Sequence, residues 1–111
     1  MIEALWSVEF QSSFGMQGAG IVVFETERVL GGDSGMMYVG SYRVENGSVY
    51  ADIHVTRYAN TANLQSVVGL DDFNLKITGK VDPRMMALSG HVVEDPSRKI
   101  TINAVRRAEL P

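Results

Sequence analysis

The stretch Met36-Met37-Tyr38-Val39-Gly40-Ser41-Tyr42-Arg43-Val44-Glu45-Asn46-Gly47-Ser48-Val49-Tyr50-Ala51-Asp52-Ile53-His54-Val55-Thr56-Arg57-Tyr58 decides the fold. Its first arm alternates Met36, Tyr38, Gly40, Tyr42 with Met37, Val39, Ser41, Arg43. Its second alternates Val49, Ala51, Ile53, Val55 with Tyr50, Asp52, His54, Thr56. A period of two is the mark of a strand with one face buried. Between the arms stands Asn46-Gly47, the pair favoured in a type I′ turn, which needs positive φ at both residues. Met36–Glu45 and Ser48–Tyr58 are therefore read as one β-hairpin.

Working outward, the same period recurs. Trp6, Val8 and Phe10 alternate with Ser7, Glu9 and Gln11 over Ala4–Gln11. Gly20–Glu25 is a dense β-branched and aromatic run, and Glu25-Thr26-Glu27 turns it into Arg28–Gly31. Gly31-Gly32-Asp33-Ser34-Gly35 has turn chemistry. Downstream, Phe73, Leu75 and Ile77 precede Gly79, and Asp82-Pro83 turns into Arg84–Val93. Asp95-Pro96-Ser97 leads into Lys99–Arg107. Ala59–Leu70 is the weak stretch: Leu64, Val67 and Val68 have roughly helical spacing, but the Asn residues and Gly69 favour one short turn or a loop. About eight strands on short connections read as an antiparallel meander, and closing it into a barrel removes its unpaired edges. The expected class is all-β, an eight-stranded antiparallel up-and-down (lipocalin-like) β-barrel forming a single domain over residues 1–111, with a two-sheet sandwich as the alternative. Gly40, Gly79 and Gly90 inside strand patterns suit the bends of a small barrel.

Composition limits the function. With 111 residues, 45% hydrophobic and 21% charged, the chain has room for one core. Ten basic against thirteen acidic residues give a net charge of −3, with no basic tract, so nucleic-acid binding is disfavoured. Zero Cys excludes disulfides, thiol nucleophiles and Cys-ligated zinc. Apolar runs such as Gly20–Phe24 are far shorter than the roughly 20 residues of a membrane helix. The start MIEALWSVEFQSS has no basic segment of the signal-peptide kind, so a cytoplasmic location is expected.

Val29-Leu30-Gly31-Gly32-Asp33, then Met37-Tyr38-Val39-Gly40, then His54-Val55-Thr56-Arg57-Tyr58-Ala59-Asn60 carry a resemblance. In their order and spacing, and with a Trp-containing first strand at Ala4–Phe10, they resemble the GrlR-type negative regulators of type III secretion of Gram-negative bacteria. The likeness runs from about residue 3 to residue 60 and continues only as strand pattern. It implies a lipocalin-like barrel, usually a homodimer, with a hydrophobic cavity, which represses genes by sequestering a transcriptional activator protein. In that family's type protein the contact is an acidic Glu-Asp-Glu-Asp turn. The matching partner-binding turn here is Glu45, Asn46, Gly47 and Ser48, which keeps only the first acid.

Catalytic chemistry finds little support in the residues. His54 and His91 are the only histidines and have no clustered further ligand, so neither a metal nor another cofactor is expected. Asp71-Asp72 and Glu94-Asp95 lie at strand ends, where neighbouring side chains diverge, and read as solvated turn acids. Gly15-x-x-Gly18-x-Gly20 precedes a strand instead of opening a helix, which removes a phosphate-binding reading. No serine stands in a G-x-S-x-G elbow, and Asn46-Gly47-Ser48 is a turn that happens to match the glycosylation sequon. The expectation is a binding protein and not an enzyme.

Two residue sets remain. Trp6, Phe10, Phe24, Tyr38, Tyr42, Phe73 and Met86 would line a cavity for a small apolar ligand, if one is open. Eight strands are narrow enough to be filled by side chains, and a mostly filled interior is the expectation. Tyr50, Tyr58 and Arg57, with Val49 or Val55, form a second candidate contact face, half of which must turn inward. Within the resemblance the chain is expected to act through protein–protein contact. The alternative is a cavity binder with no regulatory partner.

Overall fold

The computed structural model describes residues 2–59 and 66–111. Eight strands follow in chain order: β1 Ala4–Ser12, β2 Gln17–Glu25, β3 Arg28–Gly32, β4 Met36–Glu45, β5 Ser48–Arg57, β6 Asp72–Lys80, β7 Met85–Val92 and β8 Lys99–Ala108. Each pairs antiparallel with the next, and β1 pairs with β8, so the sheet closes into an up-and-down barrel. The expected barrel is the observed one, and the sandwich is excluded by that last pairing.

The hairpin forms as its sequence dictates. Glu45 pairs with Ser48, and Asn46 (φ 51°) with Gly47 (φ 80°) makes the two-residue turn with both φ positive. Thr26 (φ 53°) and Glu27 (φ 64°) make a second turn of the same handedness between β2 and β3, without a glycine. A bulge between Leu5 and Trp6 offsets β1 against β8.

β2 begins at Gln17, earlier than its apolar run suggests, because Gly18 pairs with Phe10 and Gly20 with Val8. Gly18 is at an inward position where a Cβ would lie 2.5 Å from a Phe10 ring carbon. Its missing side chain is the room that the ring occupies. Of the weak stretch, Leu64 lies outside the described residues. Val67 and Val68 are buried in a short turn ahead of β6.

Inside, alternate residues of every strand form one apolar cluster. The two barrel ends differ. At the end that carries the chain termini and the 26–27, 46–47 and 81–84 connections, Ile2, Ala4, Trp6, Val29, Val49, Met86 and Ala104 are almost wholly enclosed. Trp6 meets Phe24 edge-on at 6.1 Å, and Phe24 meets Tyr42 at 5.1 Å. The Trp6 indole N–H donates to the Ile2 carbonyl at 2.8 Å, so this packed end contains no unpaired ring nitrogen. Among the described residues, the opposite end is built from the 13–16, 33–35 and 93–98 connections together with residues 58–59 and 66–71. No helix among the described residues is long and apolar enough to cross a membrane.

Candidate functional site

The cavity begins where the aromatic packing stops. Its volume is about 240 Å³, and it opens at the end opposite the chain termini. Val22, Ile53, Leu75, Ile77, Leu88 and Ile102 are among the aliphatic side chains of its walls. The expectation of a mostly filled interior is therefore corrected: only one end is filled. Trp6, Tyr42 and Met86 fill the end near the termini, and above them Ala51, level with Tyr42, lines the cavity with no more than a methyl group.

Of the side chains expected at a cavity, Phe10, Phe24, Tyr38 and Phe73 are in its wall. Trp6, Tyr42 and Met86 are not; they pack below its floor, each less than a tenth exposed. Phe10 and Tyr38 meet edge-on at 6.5 Å near the mouth.

The mouth is polar. The Asp33 carboxylate accepts from the backbone N–H groups of Gly35 (2.9 Å) and Met36 (2.8 Å), fixing the β3–β4 turn. It also accepts from the Tyr38 hydroxyl, and Tyr58 donates its hydroxyl to the Asp33 carbonyl. Burial, then the hydrogen bond to Asp33, pushes the Tyr38 phenol far above its ordinary value. It stays a neutral donor throughout the physiological range. Across the opening, Ser66 donates its hydroxyl to the Leu70 carbonyl and accepts from the Leu70 N–H at 2.9 Å. Arg98 donates to the Val68 carbonyl at 2.6 Å and to Asp95 at 2.9 Å, tying two of the connections together.

The second candidate set divides between the two faces: Tyr50 and Tyr58 point outward, while Arg57 follows Val49, Ile53 and Val55 inward and lines the mouth. Counting by twos from Val49 reaches it. Its Nε donates to Asp71 at 3.0 Å and its Nη1 to the Ala59 carbonyl at 3.3 Å. Its side chain is 19% exposed against 69% for Asp71.

The Glu45–Ser48 turn lies at the packed end, away from the mouth. Its single carboxylate is held by Arg43 at 2.8 Å, and that guanidinium lies 4.8 Å from the centre of the Tyr50 ring. The paired acids do local work. Asp71 holds Arg57 and Asp72 meets His54 at 2.7 Å, while Glu94 accepts from the Asn74 N–H and side-chain amide at 2.9 and 2.7 Å.

No family model matches the chain, and no curated protein matches it. Among solved structures it is similar to a redesigned β-barrel, at 12% identity and a TM-score of 0.50, over 96% of this chain and 91% of that one. The likeness is one of fold alone.

Proposed function

We propose that this protein is a binding protein that takes a small apolar molecule into one end of its barrel. The observation that carries the reading is the cavity of about 240 Å³, apolar in its walls and polar only at its mouth. That division suits ligand sites, in which apolar area supplies affinity and a few polar groups set orientation. Packing all eight strands as tightly as the Trp6 end would have been the simpler way to stabilise the fold. Native mass spectrometry of protein made in a bacterial host and purified without detergent tests it. The expected result is a discrete added mass of a few hundred daltons, released by organic solvent. A barrel that carries no added mass and binds no apolar fluorescent probe overturns the reading.

The second reading is a GrlR-like regulator acting through protein contact, as a homodimer that engages a transcriptional activator. It rests on the quoted segments and on an outward apolar stripe crossing β2, β3 and β4. There Ile21, Leu30, Met37 and Val39 are 44–48% exposed. Strand pairing puts Leu30 beside Val39, and Gly32 between Ile21 and Met37. Such charge-poor patches favour interfaces. The Glu45 turn, with its one acid already paired, offers a basic partner less than this stripe offers an apolar one. Light scattering is expected to show a dimer that Leu30→Lys with Val39→Lys splits. A monomer at every concentration tried overturns this reading.

A further inference from the structure

The mouth of the cavity holds an imbalance of hydrogen-bonding groups. Asp33, its carboxylate, already accepts from the N–H groups of Gly35 and Met36 and from Tyr38. Those three neutral donors occupy most of its acceptor sites and leave its negative charge in place. The Tyr38 hydroxyl is spent as a donor on the same group. Arg57 is different. A guanidinium carries five N–H donors. Asp71 engages Nε and lies 3.0 Å from Nη2, and the Ala59 carbonyl takes one hydrogen of Nη1. At least one N–H on each terminal nitrogen is left with no protein acceptor among the described residues. Its counter-ion is weak: Asp71 is 69% exposed, and water screens such a pair. Arg57 itself is only 19% exposed, and there a charge-assisted hydrogen bond is stronger than in open water.

Space sets the other half of the argument. An apolar cavity of about 150 Å³ accepts benzene, so one of this size takes a body of about ten non-hydrogen atoms. Its aliphatic walls offer that body no hydrogen bond. Any polar group on the ligand must therefore sit at the mouth, where Gln17, Ser34 and Arg57 line the opening and Arg57 is the cationic donor.

We propose that the cavity selects a compact monocarboxylate, with its apolar body between the strands and its carboxylate on the two terminal nitrogens of Arg57. This rests on the reading of the barrel as a cavity binder and adds the chemical class of the ligand. Bidentate pairing with guanidinium is the geometry in which a carboxylate gains most over a neutral oxygen.

Octanoate and octanamide separate the two claims, since each has ten non-hydrogen atoms and they differ in charge. Calorimetric titration at pH 7 into protein cleared of bound molecules on a hydrophobic resin is expected to give octanoate about tenfold tighter binding than octanamide. Arg57→Gln is expected to erase that difference by weakening octanoate far more than octanamide, and Arg57→Lys to restore part of it. Equal binding of the two by the unaltered protein overturns the carboxylate assignment and leaves the apolar cavity standing. A preference for octanoate that survives Arg57→Gln overturns Arg57 as the anchor. Binding of neither overturns both claims. The comparison on the unaltered protein decides the ligand class even if a variant fails to fold.

Discussion

Trp6 shows how much of this fold rests on single side chains. It is fully enclosed, hydrogen-bonded through its indole and edge-on to Phe24. Trp6→Ala is expected to cost about 3–5 kcal/mol, the range for deleting a buried ring, read as a lower urea midpoint. A wild-type midpoint would contradict the inward register of β1. The Thr26-Glu27 turn is a contrasting case, because both residues hold a positive φ that an L side chain resists. Replacing them with Asn-Gly is expected to stabilise the protein by about 0.5–1 kcal/mol, visible as a raised Tm. Glu94 supplies the pH dependence. Its carboxylate accepts from the Asn74 N–H and amide, which hold its pKa below the ordinary 4.5. A depressed carboxylate contributes stability that is fully present above its unfolded value and is lost as pH falls through the folded one. The Asn74 amide resonance is therefore expected to hold steady at neutral pH and move only below pH 4.5. A midpoint at or above the ordinary value would contradict the contact.

At the scale of elements, the β4–β5 hairpin was legible because three signals agreed: alternation on each arm, the Asn-Gly pair and the short connection. Replacing Asn46-Gly47 with Val-Val is expected to cost about 2–4 kcal/mol, since both positions need positive φ and β-branched side chains resist it. An unchanged melting curve would contradict the turn. β2 was read less well at its start. Gly18 carries no side chain, so hydrophobic periodicity gives no signal there, although the strand depends on the absence of one. Arg57 presents the opposite case, because the sequence left open which half of its set turns inward. A charged side chain reads as a surface residue by type, while its place in β5 puts it inside. Parity outweighed composition, since a side chain's direction in a strand is set by the backbone alone.

At the scale of the whole molecule, closure and the division of the interior come from all eight strands together. Ala51 faces the cavity from β5, and Ala51→Leu is expected to stabilise the barrel by about 0.5–2 kcal/mol while weakening uptake of an apolar probe. Loss of stability with unchanged probe binding would mean that the space is not where the ligand goes. The strand count, the antiparallel order, the central hairpin and the inward or outward sense of most residues were determined by the sequence itself, because they follow from local backbone preference and a period of two. The tertiary structure alone decided that one end is packed solid by Trp6, Phe24, Tyr42 and Met86 while the other stays open. Volume inside a barrel is shared among side chains from distant strands, and no local window of sequence records which of them meet.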